Sequence, residues 1–519
     1  MRIEKTKSAV KNITFGFLNK ILFMIFPFII KTIIIYKLGV EYLGLNSLFS
    51  SVLNILNFAE IGFGTALVFS MYKPLAEDDK ETICALLGLY KKIYRIVGII
   101  VVSAGLAVMP FLKFFIKSGL PADINLYALY LVYLFNNVCG YFFFAYKSSL
   151  LSIHQRNDVL SNISSIVNIG MYLFQIASLY LFKNYYVYII FTPISTIVNN
   201  IVIGIVTKKM YPEYTCTGEV SAETKAEIKK KVFGLMCHKV GSVVQSSIDN
   251  IAISAFFGLA ILGVYNNYIY IQSAVQSFVT LIFQCLTPGI GNVIFKDSKE
   301  DNYRLYLRLF FMNACLIIFC SSCLLSLYQP FMKIWDKVNS PLSFNIVILI
   351  VVLFYVNNIR STAGMYREAL GTWDKDKLRP LFVTLFNLVG TIISAYYGWF
   401  EGVILSTILS YALVSMYWEI VVLYNVYFNI SKKEYIFNFF LYTIIGAVVC
   451  LITYFVTGLI PEAGVKMFAV KALVCFAVTV VTLILLLCWK KEFRYWTNKF
   501  KNILSKRKKK DVKQTQENS

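Results

Sequence analysis

Residues 13–35 read ITFGFLNKILFMIFPFIIKTIII, an apolar stretch whose only charged positions are Lys20 and Lys31. The hydrocarbon core of a bilayer is about 30 Å thick and is crossed by roughly 20 apolar residues of helix. The stretch therefore reads as a membrane span. Further apolar runs follow near 43–69, 93–116, 124–146, 159–182, 185–206, 232–257, 263–289, 305–331, 344–369, 380–398, 402–424, 436–458 and 466–489. Because backbone polar groups in lipid must be satisfied within the segment, the expectation is an all-α, polytopic integral membrane protein with about 14 transmembrane helices. A cation at the centre of such a helix costs roughly 2.5–3.5 kcal/mol on insertion scales, so Lys20, Lys31, Lys239 and Arg360 are candidate functional residues.

Composition agrees with this class. Hydrophobic residues make up 58% of the chain and charged residues 15%, against about 25% charged in a soluble domain. The net charge of +22 comes from Lys and Arg concentrated in short loops and in the tail, which is a topology signal rather than a nucleic-acid footprint. The even span count puts both termini on one side, and the excess of Lys and Arg on that side makes it cytoplasmic. The Cys residues lie mostly in apolar stretches without CxxC pairs, and read as reduced packing residues. The first apolar run lacks a small-residue cleavage site and continues past Pro27, so it is expected to remain as the first helix.

Two features argue against an enzyme. No connecting loop is long enough to fold as a domain. The chain has only two His residues, His154 and His238, which leaves little material for metal or acid–base catalysis.

Sliding the chain against itself places Gly39-Val40-Glu41-Tyr42-Leu43-Gly44 on Gly258-Leu259-Ala260-Ile261-Leu262-Gly263 at a shift of 219 positions, and the same shift carries Lys20 onto Lys239. Six spans precede the basic loop and six follow it before the last two. The expected organisation is a six-helix bundle at 1–207, a cytoplasmic linker at 208–231, a second six-helix bundle at 232–430, two extra helices at 431–489 and a basic tail at 490–519. Halves with an even number of spans share one orientation and are related by an axis along the membrane normal. The substrate would then sit between them, with Lys20 and Lys239 facing each other, an arrangement suited to a diphosphate.

The polar features each admit two readings. Lys20 and Lys31 share one helix face, where Lys31 either lines a site or snorkels to the interface, and Lys20 could also pair with Glu60. On the seventh span His238, Ser242, Gln245 and Asp249 recur at helical spacing, beside Lys239 and Asn250. Interhelical hydrogen bonding explains Ser242 and Gln245, but explains an ionisable Asp249 poorly. Arg360 either clamps a phosphate, with Asn357 nearby, or pairs with a carboxylate such as Glu419. Glu60, ahead of Gly62 and Gly64, marks a bend with a proton or cation site, or neutralises a lysine. The tail reads as an anchor for anionic phospholipids, and its end, 511–519, as disordered.

Lys31-Thr32-Ile33-Ile34-Ile35-Tyr36-Lys37-Leu38-Gly39, Tyr42-Leu43-Gly44-Leu45-Asn46-Ser47-Leu48, Ala59-Glu60-Ile61-Gly62-Phe63-Gly64-Thr65-Ala66 and Tyr72-Lys73-Pro74-Leu75-Ala76 resemble the Wzx-type flippases of O-antigen and capsule repeat units. His238-Lys239-Val240-Gly241, Asp249-Asn250 and Gly263-Val264-Tyr265-Asn266-Asn267-Tyr268 resemble their second-half counterpart. These flippases belong to the multidrug/oligosaccharidyl-lipid/polysaccharide exporter superfamily.

The resemblance implies a bacterial cytoplasmic-membrane protein that carries an undecaprenyl-diphosphate-linked oligosaccharide to the outer leaflet by alternating access. It also implies work alongside a polysaccharide polymerase and chain-length machinery. The related lipid II flippases line their cleft with cations from the first, second and eighth helices. The second span here offers Glu60 and the eighth no charge, so that role carries over only to Lys20 and Lys31.

Lys20, Lys31, Lys239 and Arg360 are the expected diphosphate ligands. His238, Ser242, Gln245, Asn250, Tyr265, Asn266 and Asn357 are the expected sugar contacts, and Glu60 and Asp249 the candidates for coupling to H+ or Na+, with no cofactor expected. A cation-coupled antiporter of the same superfamily and a membrane polymerase or ligase are the alternatives.

Overall fold

The computed structural model describes residues 23–60, 63–335, 341–371, 376–461, 464–499 and 501; Lys20 and the run 506–510 lie outside them. The described chain is helical throughout. Among these residues ten helices are long and apolar enough to cross a membrane, or eleven if the bent pair Leu126–Phe142 and Ala145–Ile153 is one span. The chain is thus an all-helical, multi-pass membrane protein.

Several expected spans take a different form. The single span expected at 43–69 is two helices, α2 (Val40–Leu56) and α3 (Phe63–Ala76), separated by a 3₁₀ turn at Asn57–Glu60. The first described helix, α1, covers 23–37. After α4 (Lys80–Val108), α5 (Leu126–Phe142) bends by 46° into the pair that ends with the short α6 (Ser148–Ile153). Next come α7 (Asn157–Leu181) and α8 (Tyr185–Met210), and then α9, a single helix over Ala222–Phe257. The expected linker at 208–231 is therefore already helical from Ala222. Its start is set by Ser221, whose side chain accepts from the Thr224 N–H, a standard N-cap. Asn125 and Asn184 cap α5 and α8 in the same way.

The second half continues with α10 (Leu259–Lys296), α11 (Lys299–Trp335), α12 (Phe344–Ile359), α13 (Ser361–Leu370), α14 (Arg379–Tyr396) and α15 (Phe400–Leu409). A π-helical turn at Ser410–Met416 separates α15 from α16 (Tyr417–Leu423). Finally α17 (Lys433–Gly458) and α18 (Gly464–Leu487) form the last two spans.

The chain forms two compact units, and they do not coincide with its halves. One comprises Met1–Asn267, Val338–Ser340 and Lys377–Ser410; the other comprises Tyr268–Lys337, Pro341–Asp376 and Tyr411–Ser519, each over its described residues. In the first unit α9 packs against α14 closely enough that a Cβ on Gly241 would strike the Pro380 backbone. The Thr384 hydroxyl donates to the Gly241 carbonyl at 2.7 Å. Small residues at such crossings let helix backbones approach in a medium that supplies no hydrophobic drive between them. The second unit is centred on Tyr306, Phe310, Tyr366, Tyr424, Phe428 and Tyr435, whose rings lie 4.9–6.4 Å from their neighbours. Here the basic segment after α18 docks, with the Trp496 indole donating to the Arg308 carbonyl at 3.1 Å.

Candidate functional site

Lys31 sits on α1, one helical turn beyond Pro27, and faces inward. It lines a cavity of about 180 Å³ together with Pro27, Asn46, Tyr172, Gln175, Tyr188 and Thr192.

Glu60 lies in the break between α2 and α3. One carboxylate oxygen accepts from the Tyr94 hydroxyl at 2.7 Å, and the other from the Tyr141 hydroxyl at 2.8 Å. Beside it Asn57 and Asn137 exchange two amide hydrogen bonds, of 3.0 and 2.7 Å. A carboxylate in this position needs donors, since leaving a buried acceptor unmade costs on the order of 1–3 kcal/mol. The two phenols supply them. Lys20, the lysine considered as its partner, is outside the described residues.

The polar stripe of α9 divides between two neighbours. Gln245 donates to the Ser410 hydroxyl at 3.1 Å. Asp249 accepts from the Thr391 hydroxyl at 3.1 Å on one oxygen, and from the Thr407 hydroxyl at 2.7 Å on the other. Asn387 donates to Thr407 at 2.7 Å, and Thr391 and Ser406 share a hydrogen bond of 2.9 Å. These residues put one carboxylate, three hydroxyls and an amide at the meeting of α9, α14 and α15. Oxygen donors of this kind suit a hard monovalent or divalent cation, or a proton on the carboxylate itself. Among the described residues no cationic side chain pairs with Asp249.

Asn250 turns the other way. It donates to the Ser51 hydroxyl at 2.9 Å and accepts from Asn266 at 3.3 Å, while Tyr265 is buried edge-on against Phe400. Gln245, Asn250, Tyr265 and Asn266 are thus engaged in interhelical packing within the first unit. The side chains of His238, Lys239 and Ser242 lie outside the described set.

In the second unit Arg360 is committed to protein partners. Its guanidinium donates to the Ser415 hydroxyl at 2.6 Å, sits over the Tyr411 ring, and lies 3.6 Å from the Glu419 carboxylate. Arg367 binds the same carboxylate at 3.2 Å and also pairs with Asp376. Two guanidinium groups and two carboxylates form a chain at the helix containing the π turn, the structural alternative weighed for Arg360. Asn357 is half-buried on α12, and its side chain makes no hydrogen bond to the described protein.

Two features escaped the sequence reading. Asn46, Ser50 and Asn54 on α2 and Asn57 at the start of the 3₁₀ turn after it recur at i, i+4, i+8 and i+11, a polar stripe that the helical period should have revealed. Lys471, 6% exposed inside α18, is a further buried cation within an apolar run, and its nearness to the start of that run hid it.

No protein-family model matches this sequence, and no curated protein matches it. Among solved structures, the fold is similar to that of a protein described as lipid II flippase MurJ in an inward closed conformation, with a TM-score of 0.64 and 16% identity. That match covers 90% of this chain and 97% of the other. It is also similar to an inward-facing multidrug resistance MATE family transporter of the MOP superfamily, with a TM-score of 0.56 and 14% identity over 76% of this chain and 93% of the other. The fold is therefore the one found in MOP-superfamily transporters, at an identity too low to carry more than the fold.

Proposed function

We propose that this protein is a flippase that moves an undecaprenyl-diphosphate-linked oligosaccharide from the inner to the outer leaflet of the bacterial cytoplasmic membrane. The observation that carries the reading is Lys31, a cation placed in a span yet lining a cavity with Asn46, Gln175 and Thr192, in a fold similar over nine-tenths of the chain to that of a lipid II flippase. A cation is a costly feature in a membrane helix, and a diphosphate is a substrate group it could bind by charge-assisted hydrogen bonds.

In this reading the chain crosses the membrane about 14 times, as two six-helix bundles and two further helices, with both termini cytoplasmic. Lys20, Lys31 and Lys239 hold the diphosphate, and Arg360 chiefly supports the helices around Glu419. The protein works as a transporter, not an enzyme. The basic tail meets anionic phospholipid, and the exported lipid passes to a polymerase. Alternating access requires that substrate or a coupling ion stabilise the two states unequally, because a ligand bound equally to both shifts nothing. Asp249, with its ring of hydroxyls, is the leading candidate for H+ or Na+, ahead of Glu60 with its two phenols.

The same carboxylate favours one second reading, a cation-coupled antiporter. Proteoliposomes separate them. The expected result is translocation of a diphosphate-linked oligosaccharide lipid by the native protein and loss of at least tenfold in rate in Lys31→Ala and Lys239→Ala. Export of small organic cations with no lipid translocation would replace the flippase by the antiporter.

A further inference from the structure

Two adjoining cavities open inside the first unit. One, of about 230 Å³, lies among α2, α5 and α8; the other, of about 180 Å³, is the one that Lys31 lines, and Asn46, Tyr188 and Thr192 are common to both. Each alone falls below the range of small-molecule sites, about 300–1,000 Å³, and is of a size for one small group of a larger ligand. Amides, hydroxyls and phenol rings share the walls with aliphatic side chains such as Ile30, Ile34, Leu43 and Leu53, and among the described lining residues Lys31 is the one charged side chain.

Part of the amide set is already bonded within the protein. Asn57 and Asn137 bond to each other, Asn46 accepts from Tyr133 at 2.8 Å, and Asn136 accepts from Thr196 at 2.8 Å. The amide nitrogens of Asn46 and Asn136, the Ser50 hydroxyl and the whole amide of Asn54 have no protein partner among the described residues, though all line the cavity. Asn46, Ser50 and Asn136 are half-buried and Asn54 is exposed, so these groups are open to partners from a ligand or water.

The chemistry of the wall selects the class of ligand. An amide offers a donor and an acceptor side by side, the match for hydroxyls that each donate and accept. Phenol rings add flat apolar surface with a polar edge. An organic cation would call for a carboxylate in the wall and a second phosphate for more cations, and the described lining residues include neither.

We propose that this amide-lined cavity is a binding subsite for an uncharged sugar residue of the transported glycan, with Lys31 at one end meeting the adjoining anionic group. The proposal rests on the flippase reading. Asn54 and Ser50 are the residues to change, because neither supports another side chain.

The test is equilibrium binding of the full-length protein in nanodiscs to undecaprenyl diphosphate alone, and to a panel of the same lipid bearing neutral oligosaccharides. Asn54→Leu and, separately, Ser50→Val are compared with the native protein. The expected result is that the native protein binds at least one glycosylated lipid more tightly than the bare one. Either variant then weakens that binding at least fivefold while binding the bare lipid as before, which also shows that it is folded. Equal binding of glycosylated and bare lipid by the native protein, or no loss in either variant, would overturn the subsite and leave the flippase reading standing. Failure of the native protein to bind any of these lipids would overturn the flippase reading, and the subsite with it.

Discussion

Gly44 and Gly263 make reciprocal contacts: a Cβ on Gly44 would strike the Leu259 backbone, and a Cβ on Gly263 would strike the Val40 backbone. Leu259 is Val40 shifted by 219 positions, and Gly263 is Gly44 shifted by the same number. The two contacts are therefore images of each other, as in a two-fold isologous interface. Each hinge also begins with a glycine at positive φ, Gly39 at 130° and Gly258 at 97°, a region that side chains with a Cβ avoid. The internal repeat seen in the sequence is thus expressed as a physical crossing of α2 and α10.

That crossing predicts that Gly44→Val and Gly263→Val each destabilise the protein, at the roughly 1–3 kcal/mol typical of overpacking. Gly170 has nothing within 4 Å of its would-be Cβ, so Gly170→Ala should leave stability unchanged or slightly raised. Thermal unfolding in detergent, followed by size-exclusion fluorescence, measures all three.

Glu60 joins Tyr94 and Tyr141 through one oxygen each. Glu60→Gln replaces one carboxylate oxygen by an NH2 group, so one phenol loses its charged acceptor and has to reorient, at a cost of about 1–3 kcal/mol. Tyr94→Phe removes donor and need together and should cost less once Glu60→Gln is present. A double-mutant cycle on unfolding midpoints should show this non-additivity.

Asp249 accepts from the Thr391 and Thr407 hydroxyls, one on each carboxylate oxygen. If it couples an ion, Asp249→Asn should remove the dependence of transport on a Na+ or H+ gradient while leaving substrate binding. Thr407→Val should weaken the dependence at least severalfold. Transport measured with each gradient imposed in turn is the check.

Glu419 stands between Arg360 and Arg367. Removing one member of a buried ionic network costs roughly 3–5 kcal/mol, since it leaves an uncompensated charge. Glu419→Ala should therefore lower the unfolding midpoint strongly, and Arg360→Ala should act on stability more than on binding of a lipid diphosphate. A diphosphate affinity lost tenfold in Arg360→Ala at unchanged stability would return that residue to the substrate.

Apolar run length and charge placement were enough to read an all-helical membrane protein, because lipid forces every backbone group into local hydrogen bonds and leaves the span visible as an unbroken stretch. The repeat, Lys31 and Asp249 were legible for the same reason, since a charge or a glycine stands out against such a background. Which neighbour each polar side chain meets was not legible. Gln245 faces the start of the π turn and Asp249 faces α14 and α15, while Asn250 faces α2, and only the helix crossing angles decide that. The break at Asn57–Glu60, the pairing of Arg360 with Glu419 and the joining of the Asn46–Asn57 stripe to α5 and α8 all depend on contacts between residues distant in the chain. Local sequence does not encode such contacts, and tertiary packing alone selects them.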